Sequence, residues 1–421
     1  MTSRRVYFLN AASFLKQSPL RLLPEILLWI FIASLIGFLA GSASAGFLLA
    51  LDFTTKTRIE NPWLLYLLPW AGVLIAFLYT RYGKNTDAGN NLLIDEIHNP
   101  KKVVPLRMAP FVLLGTLVTH LFGGSAGREG TAVQMGGTLA DQLTLLFKFD
   151  AEKRKTLLMA GISAGFASVF GTPLAGAVFG LEVLAIGRLR YQAILPCFIA
   201  AIVADRVCIE WGVHHTAYSI STIPSLTAVN ILWALVAGIC FGLCAWFFSW
   251  SSHKLTHLLK QAFSSPLLRA FLGGLAVILG AALLQSDRYL GLGIPVIAES
   301  FQGPVPVYDF LFKGLFTIVT LSSGFKGGEV TPLFFIGATL GNALAWILPL
   351  PTSLLAGMGF VAVFAGAANT PLTCLLMAME IFGTGSAIYT ALACVMSYIF
   401  SGHAGIYHSQ KIEVYKHAQK N

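Results

Sequence analysis

What this chain has least of is charge. Asp, Glu, Lys and Arg make up 11% of its 421 residues, less than half the share of about 25% in soluble domains. Apolar residues reach 56%, with a mean hydropathy of +0.73. That balance excludes a soluble globular enzyme, because apolar runs recur from residue 23 to residue 400 with little charge to keep them in water. Cysteine is also scarce. The six present (Cys197, Cys208, Cys240, Cys244, Cys374, Cys394) lie in or beside apolar segments as small hydrophobes, so neither a disulfide framework nor zinc spacing follows from them.

Other absences narrow the class further. No phosphate loop of the Walker A kind is present, which argues against an ATP-driven pump. His253 and His257 sit one turn apart without a third ligand, so no metal site is expected, and no cofactor motif is found. "GGSAG" at Gly123 to Gly127 matches a hydrolase pattern in letters only, for it lacks the strand, sharp turn and partnered histidine that chemistry requires. The net charge of +9 is scattered over "TKTR", "NPKK" and "EKRK" and forms no nucleic-acid patch. Anionic lipid headgroups are the partner that such juxtamembrane charge fits.

The long apolar runs are what remain. A span needs roughly 20 apolar residues, and "LLPEILLWIFIASLIGFLAGSASAGFLLAL" and "ILWALVAGICFGLCAWFFSW" supply it. A dozen or more such segments fit, giving an all-α, polytopic membrane protein embedded in a lipid bilayer. Its 41 glycines cluster with Ala and Ser, as in "AGISAGFASVFGTPLAGAVFG", and predict helices packed closely against each other. Residues 1–22 carry Arg4, Arg5, Lys16 and Arg21 without a clear cleavage site, and are expected to form a retained amphipathic helix. The positive-inside tendency puts that tail, and the basic "KIEVYKHAQKN" at the other end, in the cytoplasm.

The chain also resembles itself. "TPLAGAVFGLEV" from Thr172 aligns with "TPLTCLLMAMEI" from Thr370, each with Glu ten residues after the Thr. "GREGTAVQMGGTL" aligns with "GEVTPLFFIGATL", Gly127 falling on Gly328 at nearly the same interval. Two matches in one order predict a duplicated half-molecule, inverted if each half has an odd number of spans. The expected divisions are residues 1–22, 23–215, 216–402 and 403–421, the last holding a C-terminal segment and tail. The glycine-rich stretches then become helix starts inside the membrane, where exposed N–H groups and the positive dipole end form an anion site. Pro173, Pro332 and Pro371 are tolerable in first turns, although prolines that merely kink continuous helices remain the alternative.

At these residues the sequence resembles the CLC family of chloride channels and proton-coupled anion exchangers. The resemblance is carried by "GSAGREGTAVQMGG", "AGISAGFASVFGTPLAGAVFGLEVL", "SGFKGGEVTPLFFIGATLGNAL" and "GFVAVFAGAANTPLTCLLMAMEIFG", with "DAGNNLLIDEIHNP" before and "SGHAGIYHSQK" after. It implies a homodimer with one anion pathway per subunit, an inverted repeat of tilted and broken helices, and no enzymatic activity. Glu129 would be the gating and proton-carrying carboxylate, flanked by Arg128 and Gly130. The closing family tyrosine maps to Tyr407.

Several positions depart from the common chloride pattern. Asn90 stands where "GSGIP" has its serine, Thr331 falls in the "GGxFAP" element, and Thr131 replaces the proline of "GREGP". Val183 stands where exchangers carry an inner glutamate. These departures are similar to those of the fluoride/proton antiporter clade. Fluoride and protons are therefore the expected partners, with a chloride/proton exchanger or passive anion channel as the alternative. A bacterial inner membrane is the expected location.

The chemistry is consistent with that resemblance. Fluoride is strongly hydrated, so a dry pathway must replace its water with donors, and an Asn amide offers two N–H groups where Ser offers one O–H. The Val330 and Thr331 N–H groups, the Thr331 hydroxyl and the Tyr407 phenol are the other candidates. Glu329 is the candidate for the proton route, or else an acid placed to suit a helix dipole. Asn90 as a mere cap, Tyr407 as an interface-belt aromatic, and Glu182 and Glu380 as capping acids are the plainer alternatives.

Overall fold

The computed structural model describes residues 22–84 and 86–416. All but the last residue of the expected amphipathic helix, and the tail from 417 onward, lie outside the described residues. Sixteen α-helices are described, and they fall into two series of eight. The first is α1 (Leu23–Glu60), α2 (Leu68–Tyr82), α3 (Asn90–His98), α4 (Met108–Leu121), α5 (Glu129–Phe147), α6 (Ala151–Phe170), α7 (Pro173–Glu182) and α8 (Ile194–Glu210). The second is α9 (Ala228–Ala262), α10 (Pro266–Leu284), α11 (Ile294–Gln302), α12 (Asp309–Ser322), α13 (Val330–Leu344), α14 (Thr352–Ala368), α15 (Pro371–Phe382) and α16 (Ala387–Phe400). The series run in parallel: a very long helix opens each (38 and 35 residues), and the third helix of each has 9 residues.

The two series are inverted with respect to each other. Glu182, at the end of α7, accepts hydrogen bonds from Leu372 N (3.0 Å) and Thr373 N (2.8 Å) in the first turn of α15. Glu380, near the end of α15, accepts from Leu174 N (2.8 Å) and Ala175 N (2.9 Å) in the first turn of α7. Each acid satisfies N–H groups that a helix start leaves orphaned, and the exchange requires the two helices to lie antiparallel about a pseudo-two-fold axis. Capping is thus the role the structure gives both glutamates.

Close packing comes from glycines in matching positions. A Cβ on Gly37 or Gly41 of α1 would fall 2.7 Å or 2.6 Å from the carbonyl oxygens of Ala200 and Ala204 on α8. Gly238 and Gly242 of α9 meet α16 in the same way, at Met396 and Ser397. Gly337 of α13 and Gly359 of α14 are tighter still: a Cβ on either would fall 2.0 Å from the other's carbonyl oxygen. In lipid, where apolar side chains gain little by leaving the solvent, such backbone approach is what holds helices together.

Five helical segments are long and apolar enough to cross a bilayer; the other apolar helices are of 10–17 residues. The dozen or more hydrophobic segments read from the sequence are thus of two kinds, five long helical segments and a set of shorter helices. Among the shorter pieces, α7 and α15 lie end to start against each other, and α13 begins at a glycine bridge to the start of α5. The exposed apolar residues (Phe53, Trp63, Trp70, Leu283, Trp346, Ile347) present a surface suited to lipid.

Candidate functional site

Two of the broken helices meet at their starts. Gly127 N donates to Gly328 O (2.6 Å) and Gly328 N to Gly127 O (2.8 Å), an antiparallel bridge between equivalent positions of the two series. Only hydrogen fits at either place. A Cβ on Gly127 would fall 2.9 Å from Glu129 Oε2, and one on Gly328 would fall 2.8 Å from Gly130 N. The bridge points the N-termini of α5 and α13 at one spot, so their positive dipole ends add.

That spot is occupied by a carboxylate. Glu129, the first residue of α5, is 1% exposed. Its Oε2 accepts from Arg128 N (3.1 Å) and Thr331 N (3.0 Å), and its Oε1 takes the Thr331 hydroxyl. Arg128 Nε lies 3.6 Å from Oε1 and has no hydrogen-bond partner of its own. The side chain folds back and places its carboxyl oxygens where two helix starts and a hydroxyl converge. A small anion would find the same donors there once the carboxylate left.

Beside the cradle is a cavity of about 190 Å³. Asn90, Glu329 and Tyr407, three of the residues singled out from sequence, line it together. Asn90 opens α3, and its Nδ2 lies 3.1 Å from where a Cβ on Gly130 would be. Gly130 therefore has to remain small, and the amide lies against the cradle. The Asn90 carboxamide oxygen is buried without a partner, an uncommon state. Glu329 is the N-cap of α13, two residues before the Thr331 that holds Glu129. Val330 is buried between them, and Thr331 supplies the α13 backbone donor that reaches the carboxylate.

Tyr407 is 6% exposed and is placed by the segment after α16. Ile406 N donates to Ala367 O (2.8 Å), Ser409 N to Asn91 Oδ1 (3.1 Å), and Gln410 Nε2 to both Val183 O and Ala368 O (2.8 Å each). Asn91 thus ties the Tyr407 segment to the helix that carries Asn90. Val183 contributes a carbonyl, and its apolar side chain can take no proton. A two-residue parallel pairing, β1 (Ala185–Ile186) with β2 (Lys411–Ile412), anchors the segment beyond.

Sequence reasoning missed several residues of the site. Gln134 lines the cavity one turn after Gly130 on the same face of α5, a spacing that could have marked it. Tyr79 and the Lys326–Asp87 pair (2.5 Å) also border it. They come from distant segments, and nothing local in the sequence joins them. The Lys326 ammonium holds the Asp87 carboxyl below the usual carboxylate range, against the opposing effect of burial. Thr131, in the place of the family proline, turns away from the cradle and bonds the Thr116 hydroxyl at 2.7 Å. His253 lies against His408 with ring centroids 3.9 Å apart and planes tilted by 30°, and no cluster suited to a metal occurs among the described residues.

Comparison with known proteins matches this geometry. The model of the voltage gated chloride channel family fits residues 71–402. A "Chloride/fluoride channel protein" of Pseudomonas syringae pv. tomato is 57% identical over 412 residues, 96% of this chain and 91% of the relative. An "H(+)/Cl(-) exchange transporter ClcA" of Vibrio vulnificus is 30% identical over 390 residues, 83% of this chain and 81% of that one. Among solved structures, a crystal structure of a CLC-type fluoride/proton antiporter superposes with a TM-score of 0.90 at 38% identity. It covers 92% of this chain and 99% of its own. With its inverted broken helices and the carboxylate at their meeting point, the chain belongs to the voltage gated chloride channel family, as an integral multi-pass anion/proton transporter and not an enzyme.

Proposed function

We propose that this protein exports fluoride in exchange for protons. The observation that carries the reading is the Glu129 carboxylate held by Arg128 N, Thr331 N and the Thr331 hydroxyl. Those donors suit a small hard anion, and charge-assisted bonds from neutral donors to such an ion are short and strong. The carboxylate and the anion compete for one place, so protonation of Glu129 frees the site and couples the two movements. Asn90 and Tyr407 would receive the anion on the cavity side, with Arg128, Gly130 and Val330 completing the cradle. Glu329, at the cavity wall, is the candidate for the proton route that Val183 cannot provide. The superposed antiporter is named for fluoride and protons, and the Pseudomonas relative for chloride and fluoride together.

The divisions at 23–215, 216–402 and 403–421, a homodimer, a bacterial inner membrane and cytoplasmic termini belong to the same proposal. Vesicles reconstituted with the full chain test its core. An imposed fluoride gradient is expected to drive proton uptake against the proton gradient, and an equal chloride gradient to drive far less. Chloride driving protons as well as fluoride does would make the protein a chloride/proton exchanger. Rapid fluoride loss without proton movement would make it a channel.

Thr331→Val is the sharper probe of the cradle, because it deletes the hydroxyl while keeping the shape and the N–H group. A hydrogen bond to a charged partner is worth about 1.5–3 kcal/mol, so the fluoride concentration for half-maximal transport is expected to rise about tenfold or more. An unchanged concentration dependence would remove Thr331 from the anion site.

A further inference from the structure

Away from the anion pathway, a second cavity of about 540 Å³ lies between the end of α1, the end of α4 and the turn that leads into α11. Two residues on its wall hold three buried polar atoms that lack a partner in full hydrogen-bond geometry. Arg58, 7% exposed, bonds Asp287 through Nη2 at 3.1 Å and leaves Nε bare. His120, 3% exposed, has neither ring nitrogen in full hydrogen-bond geometry, its ring engaging only the Gly127 backbone. Buried polar groups are nearly always satisfied, so the bare Arg58 Nε and the weakly engaged His120 ring on one cavity wall call for an occupant that accepts hydrogen bonds. Gly123, which also lines the cavity, packs directly on the arginine: a Cβ there would fall 3.1 Å from Arg58 Nε, and its φ of +84° suits glycine.

The surroundings narrow the occupant. Arg288 is spoken for by Asp309 (2.9 Å) and Glu299 (2.8 Å), whereas the single partner of Arg58 is the largely exposed Asp287. Arg58 therefore keeps donor capacity for an anionic group, and a guanidinium fork matches phosphate oxygens. The N-terminus of α11 opens on the same space through Gly293 and Ile294. Apart from Thr55 and Ser286, the rest of the wall is mostly apolar and continues outward through Ile59, which is 68% exposed. A free inorganic anion has no use for such a wall, but an acyl chain does.

We propose that this cavity is a binding site for an anionic membrane phospholipid, its phosphodiester on Arg58 and His120 and its chain along Ile59 and Ile294. The site is independent of which ion the protein transports. Native mass spectrometry of the full chain in detergent, titrated with phosphatidylglycerol, phosphatidylcholine or inorganic phosphate, tests it. Phosphatidylglycerol is expected to bind at least tenfold more tightly than phosphatidylcholine, and millimolar inorganic phosphate to leave it in place. Arg58→Gln is expected to abolish that preference. Asp287→Asn, at an exposed position that threatens folding little, is expected to tighten phosphatidylglycerol severalfold by releasing the arginine. Equal binding of the two lipids, or Asp287→Asn binding like wild type, would overturn the assignment. Displacement by inorganic phosphate would overturn the lipid as the source.

Discussion

Vesicles containing Glu129→Gln are expected to pass fluoride without moving protons. Glutamine has the size of the protonated glutamate but can neither take on the charge of the ionised form nor release a carboxyl proton. It therefore cannot compete as an anion for Arg128 N, Thr331 N and the Thr331 hydroxyl, the donors that hold the carboxylate in the structure. Nor can it release a proton on one side after taking it up on the other. The anion site is then permanently open, and a coupled exchanger becomes a leak. Proton uptake driven by a fluoride gradient should fall to that of protein-free vesicles while fluoride efflux persists. If the variant still accumulated protons against their gradient, Glu129 would not be the coupling residue, and Glu329 would be the next to test. Loss of both fluxes would instead mean that the carboxylate is needed to open the site.

Much of this site was legible in the sequence because its chemistry is local. A helix start needs glycine beside it and polar residues on its first turn, so "GREG" and "GGEVTP" show where α5 and α13 begin. The internal repeat was legible too, and it reaches further than the two motifs suggest. Gly37 and Gly238, Gly41 and Gly242, Gly127 and Gly328, and Gly136 and Gly337 all stand 201 positions apart. All eight sit where a Cβ would collide with backbone or a neighbouring side chain. What stayed hidden depends on long-range closure. Glu182 and Glu380 match each other in sequence, but nothing in either motif says that each caps the other's helix. Lys326 with Asp87, and Asn91 with Ser409, join segments that have no sequence relation. Hydropathy has a related limit: it reads apolar character and cannot see that α7, α13 and α15 are helices of only 10, 15 and 12 residues.

The largest stability effect is expected at a residue with no place in the anion pathway. Arg154 on α6 is 5% exposed and donates from Nε to Asp141 Oδ1 (2.7 Å), from Nη2 to Asp141 Oδ2 (2.8 Å) and from Nη1 to Glu96 Oε2 (2.9 Å). Asp141, fully buried on α5, also takes Val104 N at 2.7 Å, and Glu96 lies near the end of α3, whose first residue is Asn90. One guanidinium thus fastens three helices, among them the one that carries a wall of the cavity. Arg154→Met would leave two buried carboxylates without a counter-charge, which typically costs about 3–5 kcal/mol. Thermal unfolding in detergent should therefore show a large loss of stability or no folded protein at all. Arg154→Lys should recover only part of it, because an ammonium lacks the planar fork that spans both oxygens of Asp141 while reaching Glu96. Where Arg154→Lys folds, a loosened α3 should also raise the fluoride concentration for half-maximal transport. Melting of Arg154→Met alongside wild type would show that water replaces the arginine at both acids, and that the network contributes little to holding α3 in place.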